Sequence, residues 1–415
     1  MTISSKSASS TASARPARTE ARRARFCLPL LFVLLGLVFA AWASRIPALR
    51  DLLHLSTGQL GLALLCAGIG GIASFPLAAW MTGRFGAPRS AACAGSVMLL
   101  ALAAIAFSPR LAILMAVLGC MGAAASCFDV AINAIGATAE KKAGRSIMSM
   151  LHAWFCVGTL AGALSGSVIA SLGIAPHIHL MLVSAAMVVP MWLACRRLGA
   201  AAAIDGAGGT DATVAIGAST QPRSRTSLRQ TLADRFRLPP PRLLLLGLIG
   251  FCGAIAEGGI ADWSGVFLQD RLGAGAGMAP LAYAAFSGAM LAARLVADRL
   301  KDRFGAQAVV ATGGMLAAAG IGAAASGASV AISIAGFALA GAGLAGVFPF
   351  VFSAAGRAGP TALAGVATIS YCGGLVGPPV IGFIGEFASL PIAIGSIGVV
   401  CAAMAIVAAR TRSLA

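Results

Sequence analysis

Along the chain, apolar runs of spanning length alternate with short polar breaks. The hydrocarbon core of a bilayer is about 30 Å thick, so a helix that crosses it needs about 20 consecutive, mainly apolar residues. Runs of that kind fall at 26–44, 58–82, 89–108, 111–138, 146–171 and 178–195, and again at 242–268, 275–297, 307–326, 329–354, 361–384 and 388–409. The pattern predicts an all-α integral membrane protein with twelve transmembrane helices in two six-helix halves, 26–195 and 242–409. Residues 196–241 read as a flexible linker, with Gly206, Gly208, Gly209, Pro222 and the triplet Pro239-Pro240-Pro241, and with a short amphipathic stretch from Leu228 to Phe236. Residues 1–25, rich in Ser, Ala, Thr and Arg, read as a disordered basic tail, and 410–415 as a second tail. Arg22-Arg23 before an apolar run ending in Ala41-Trp42-Ala43 has the look of a targeting signal. That run is long enough to span and many others follow, so an uncleaved first helix is the reading.

Composition agrees. Of 415 residues, 59% are hydrophobic and only 10% charged, where a soluble domain devotes about a quarter to charge. Too little polar surface exists to cover a globule in water. The 52 glycines suit helices that must approach closely in lipid, where the hydrophobic effect no longer drives them together. The net charge of +17 would suggest nucleic acid in a soluble chain. Here the basic residues fall in the breaks between apolar runs with no aromatic-interleaved stripe, so no nucleic-acid partner is expected. The ten cysteines form no C-x-x-C pair and no Cys/His ligand spacing. They read as small hydrophobes inside helices, and neither a metal nor a cofactor is expected.

Lys and Arg set the orientation, because they accumulate on the cytoplasmic side. With both termini inside, that side receives the tail arginines, Arg84, Arg89, Lys141, Lys142, Arg145, the linker cluster, Arg299, Lys301, Arg303, Arg357, Arg410 and Arg412. The outer side receives Arg45, Arg50, Arg110 and Arg271. The expected location is the inner (cytoplasmic) membrane, multi-pass, as a monomer.

A repeat supports two equivalent halves. Arg84-Phe85-Gly86-Ala87 follows the second run, and Arg303-Phe304-Gly305-Ala306 follows the eighth, 219 residues later. The segment from Arg294 through Asp298-Arg299 and Asp302-Arg303 to Gly305 resembles the cytoplasmic loop motif of the major facilitator superfamily. The resemblance implies that Asp298 engages arginines and a neighbouring helix end in one state of the cycle, with Arg299, Arg303 and Arg84 as companions in gating. The first copy departs from the pattern: Thr82-Gly83 stand where an acid–arginine pair is expected. Further stretches, Ala41-Trp42-Ala43-Ser44-Arg45-Ile46-Pro47, Asp129-Val130-Ala131-Ile132-Asn133, Gly144 to Ala153 and Glu257-Gly258-Gly259-Ile260-Ala261-Asp262-Trp263-Ser264, resemble uncharacterised bacterial inner-membrane carriers related to fucose permeases and rhizopine-transport-like proteins. The resemblance covers nearly the whole chain outside tail and linker. It implies the facilitator fold, alternating access and, more weakly, a sugar-like or other small polar solute.

Ionisable groups at membrane depth are expensive and therefore functional candidates. The fourth run carries Gly119, Gly122, Ser126, Asp129, Asn133, Gly136 and Glu140 at alternating steps of three and four, one helix face. Asp129 and Asn133 can bind solute hydroxyls or a proton, with Ser126 beside them, or an Asn–Asp pair can glue helices. His152 sits at a depth similar to Asp129 across the hairpin, so a His–carboxylate proton shuttle is one reading and a histidine bonded to nearby backbone the other. His54, His177 and His179 fall in outer loops with no specific role expected. In the seventh run Glu257 is a coupling or binding candidate, and Gly258-Gly259 would loosen the helix beside it. Asp262 is expected to pair with Arg45 as an outer gate, and Trp263 to anchor at the lipid interface. Arg45, which either snorkels to headgroups or holds an anionic solute, joins Trp42, Thr368 and Tyr371 as cavity candidates, and Pro378-Pro379 would bend the eleventh run. Ser56-Thr57-Gly58-Gln59 reads as a capping box.

These features predict a secondary active transporter, a proton-coupled symporter of a small polar solute, and not an enzyme. The alternatives are an uncoupled facilitator or exporter of the same fold and, further off, a membrane-embedded enzyme or a solute-sensing receptor.

Overall fold

A computed structural model describes residues 10–105, 107–144, 147–205 and 241–414, with side chains described from Phe26 onward except at 142, 201–205, 241–242, 360 and 412. The helices are α1 (Ser10–Ala43), α2 (Ile46–Leu52), α3 (Thr57–Ala73), α4 (Phe75–Phe85), α5 (Ala87–Ile105), α6 (Leu111–Ala143), α7 (Met148–Ser171) and α8 (Pro176–Asp205) in the first half. The second half has α9 (Pro241–Leu272), α10 (Leu281–Phe304), α11 (Ala306–Ala325), α12 (Val330–Leu344), α13 (Val347–Arg357), α14 (Pro360–Phe387) and α15 (Leu390–Arg410). Among the described residues, eleven spans are long and apolar enough to cross a bilayer, and the pair α3–α4, bent by 42°, makes a twelfth when taken as one.

The expected spans are recovered, most with their ends shifted by a few residues. Helix α1 begins at Ser10, so residues 10–25 of the expected disordered tail continue the first span. Its first nine residues lie outside the described residues, as do residues 206–240 of the linker and its amphipathic stretch. The chain re-enters a helix at Ile46, where Pro47 occupies the first turn, a position that needs no amide donor. The second span breaks at Ser74, whose hydroxyl donates to the carbonyl of Gly71 at 2.8 Å, with Pro76 at the start of α4. Pro378 and Pro379 are accommodated inside α14, which runs through to Phe387.

The two halves repeat one packing plan. In the first, the first span packs on the fifth, the second and third on the fourth, and the sixth on the first and third. In the second half the same relations hold with six added: α9 on α14, α10 and α11 on α12, α15 on α9 and α11. The halves meet through α3 on α14 and α7 on α10, again equivalent pairs. The twin loops carry the repeat to the backbone. Gly86 has φ 81° and ψ 152°, and Gly305 has φ 80° and ψ 151°, a region open essentially to glycine alone. Each loop's arginine lies over the phenylalanine that follows, Arg84 at 6.0 Å and Arg303 at 5.2 Å from the ring centre.

Small residues set how closely the spans approach. A Cβ on Gly70 would stand 2.0 Å from the Gly119 carbonyl oxygen, and one on Gly122 would stand 1.9 Å from that of Ala67. Gly36 and Gly158 do the same between α1 and α7. Without a hydrophobic drive in lipid, such backbone contact supplies the dispersion energy that holds the bundle.

Candidate functional site

The stripe on α6 divides into two parts. Gly119, Gly122 and Ser126 face α3, with the Ser126 hydroxyl 2.9 Å from where a Gly71 side chain would begin. Gly136 is covered by Met148 and Leu151, and Glu140 accepts from the amides of Ile147 at 2.8 Å and Met148 at 3.0 Å, holding the start of α7. That leaves Asp129 and Asn133. The Asn133 amide donates to Asp129 Oδ1 at 2.8 Å and to its carbonyl at 2.9 Å. Asp129 is half-buried and lies within electrostatic range of Tyr371 on α14. Tyr371 is 41% exposed, and its ring meets Phe75 of the second span at 6.0 Å. Thr368, one turn before it, bonds the carbonyl of Ala364 at 2.9 Å. Asp129 and Asn133 thus form a bonded pair on α6, with Tyr371 of the other half near it.

A second group sits where α7 meets α10. Arg294, half-buried, donates from Nη1 to Cys156 Sγ at 2.8 Å, and from Nε to the carbonyl of Ala345 at 3.4 Å. Its Nη2 stands 4.0 Å from Glu257 Oε1, an oxygen that is buried without a hydrogen-bond partner. Tyr283 of α10 lies within electrostatic range of Glu257, Cys156 and Asp262. Arg294 thus ties two spans of the second half to Cys156 of the first. Sequence reasoning noticed Arg294 only as the start of the loop motif. Its signal was a cation one turn inside the charged end of α10, at a depth that calls for a partner.

Several expectations are corrected. His152 does not meet Asp129: it packs edge-on against Phe32, with ring centres 5.5 Å apart, and the charge in its range is Arg294. Both hairpin helices turn these side chains to different neighbours, which equal depth alone does not reveal. Asp262 does not pair with Arg45. Arg45 is buried and donates from Nε to His179 Nδ1 at 2.8 Å. His179, expected to be idle in a loop, is fully buried on α8. Trp263 is fully buried and not an interface anchor; its ring would lie 3.0 Å from a Cβ on Gly382. Helix α9 is unbroken through Gly258-Gly259, because Gly259 gives room to Ile381 and Ile397 while Gly258 faces open space. Trp42 is buried in the first span. Asp298 is exposed, and among the described residues its ion-pair partner is Lys301, at 4.0 Å on its own helix. Arg299 is exposed beside it.

One end of the bundle joins the halves by polar links. Arg50 pairs with Asp270, Gln269 donates to Asp51, Ser167 donates to the carbonyl of Gly277, and Glu386 accepts from Thr57 and Gly58. Ser56 and Gln59 form the expected capping box beside them. A model of the Major Facilitator Superfamily matches residues 27–371. The chain belongs to the major facilitator superfamily. Within it, the chain is 32% identical to an uncharacterised MFS-type transporter of Yersinia pestis over 89% of this chain and 90% of that one. It is 31% identical to the uncharacterised transporter y4wD of Sinorhizobium fredii, over 91% and 95%. It is also 31% identical to the membrane protein MosC of Rhizobium meliloti, over 92% and 89%. Among solved structures, the nucleoside transporter NupG superposes with a TM-score of 0.67 at 14% identity, over 92% of this chain and 96% of that one. This facilitator is therefore a multi-pass membrane transporter and not an enzyme.

Proposed function

We propose that this chain is a proton-coupled symporter that moves a small polar, sugar-like solute across the inner membrane by alternating access, with both termini cytoplasmic. The observation that carries the reading is the pair of polar groups placed where the halves meet. Asp129 has Asn133 as its bonded partner and no ion-pair partner among the described residues, so it can gain and lose a proton as its surroundings open to either side. Glu257, with an unbonded oxygen 4.0 Å from Arg294, offers a solute both an acceptor and a donor fork. A solute hydroxyl between Glu257 and Arg294 would complete both. Basic residues crowd the ends of the spans opposite the Arg50–Asp270 pair, which supports reading the linked end as the outer one.

The test is uptake into proteoliposomes of the solute selected by a thermal-shift library screen, with and without an imposed pH gradient. Uphill accumulation only with the gradient is expected. Equal, downhill-only uptake in both conditions would make the chain an uncoupled facilitator. Reporter fusions at Pro109 and Gly385 should report the outside.

A further inference from the structure

The first turn of α3 exposes amide donors that no residue of its own helix can satisfy. The capping box disposes of one: Ser56 Oγ accepts from the Gln59 amide at 3.2 Å, while the Gln59 side chain accepts from the Ser56 amide at 3.0 Å. The amides of Thr57 and Gly58 are left. The partner of the Gly58 amide comes from the other half of the protein: Glu386 Oε2, near the end of α14, accepts from Gly58 N at 3.1 Å and from Thr57 Oγ1 at 2.9 Å. A carboxylate at a helix N-terminus gains from both the free amides and the positive end of the helix dipole.

Beneath this contact the two helices touch backbone to backbone. A Cβ on Gly61 would meet the Pro379 Cα at 3.2 Å and the Gly382 Cα at 3.3 Å, and one on Gly382 would meet the Thr57 carbonyl at 2.8 Å. Glu386 lies one turn beyond Gly382 on the same helix face. The charged cap thus sits over a close backbone contact between the halves. The other seam is closed by Ser167 against Gly277, and the Arg50–Asp270 pair adds a further link between the halves.

We propose that Glu386 is the latch of this end of the bundle: its carboxylate, from the second half, caps α3 of the first and holds the closed arrangement shut. To open here, the protein must part Glu386 from Thr57 and Gly58. Glu386 is exposed while Thr57 and Gly58 are buried beneath it; parting them lets water take the place of each partner, so the latch biases an equilibrium and does not lock it. The inference rests on the alternating-access reading but needs neither the solute nor the coupling ion to be known.

Hydrogen exchange by mass spectrometry on the purified full chain in detergent tests it. Glu386→Ala should speed exchange about two- to fivefold, the change expected on losing an exposed charge at a helix end. The effect should appear in residues 57–64 and, remotely, in 164–171 and 277–284, while residues 76–85 and 363–370 at the opposite end become slower. Glu386→Gln, which keeps an acceptor without the charge, should fall between. Asp270→Asn, a separate link at the same end, should move the same segments in the same directions. Acceleration confined to 57–64 would make Glu386 a local helix cap and overturn the proposal. So would no change in Glu386→Ala beside a clear change in Asp270→Asn, since closure would then rest on the Arg50–Asp270 pair. If the exchange pattern holds while no gradient drives uptake, the latch stands and only the coupled-transport reading fails.

Discussion

Arg294 Nη2 stands 4.0 Å from Glu257 Oε1, beyond hydrogen-bond length, while the same guanidinium bonds Cys156 in the other half of the protein at 2.8 Å. The pair is a loose one inside a bundle, each group retaining capacity for a further bond. A polar solute inserted between them gains charge-assisted bonds from both, worth about 1.5–3 kcal/mol each. Glu257→Gln keeps the shape and removes the charge. It should express and fold normally and bind the solute about ten- to one-hundredfold more weakly, by direct binding titration. Unchanged affinity would confine Glu257 to packing.

Asp129 should matter for coupling and not for binding. Asp129→Asn imitates the protonated carboxyl and can keep the bond to Asn133 by rotating its amide. Uphill uptake driven by a pH gradient should be abolished, while counterflow of labelled solute, which needs no net proton movement, survives. Loss of both activities would make Asp129 a binding or folding residue. Retention of both would leave Glu257 as the coupling group.

The twelve spans, the capping box and the twin loops were legible in the sequence because each depends on residues close together in the chain: a run of apolar positions, Ser56 with Gln59, a glycine after Arg-Phe. The partners of buried polar groups were not. His152 and Asp129 lie at similar depth, yet helix rotation turns one to Phe32 and the other towards Tyr371. Arg45 and Asp262 both lie near one end of the bundle, but a histidine on α8, in the same half as Arg45, reaches it instead. Depth follows from counting along a helix, whereas azimuth and neighbour depend on how six helices pack, and that is written in pairs of residues more than one hundred positions apart.

The twin loops make a quantitative test of the repeat. At Gly86 and Gly305 a Cβ would meet nothing within 4 Å, so the cost of Gly→Ala there is backbone strain alone. With φ near +80° at both, each substitution should cost about 1–3 kcal/mol and lower the melting temperature by similar amounts. A loss at one loop only would show that the equivalent geometry is not under equivalent constraint.

The last prediction concerns Arg45 and His179. Arg45 is 3% exposed and His179 0%. The guanidinium donates to Nδ1, so that nitrogen carries a lone pair, the ring is neutral, and its proton resides on Nε2. Removing either partner strands the other in a buried site, at a cost of about 1–3 kcal/mol. His179→Leu and Arg45→Leu should therefore each lower the melting temperature of the purified protein. The pair Arg45→Leu with His179→Leu should cost less than the two single changes added together, because replacing both partners leaves nothing unbonded. His179→Gln, which offers a side-chain carbonyl to the guanidinium, should recover part of the loss. The same set decides whether Arg45 also holds solute. If its role is this bond alone, the double variant binds solute with wild-type affinity in a direct titration. If affinity falls in every variant that lacks Arg45, including the double, while His179→Gln keeps it, then Arg45 faces the solute as well as the histidine.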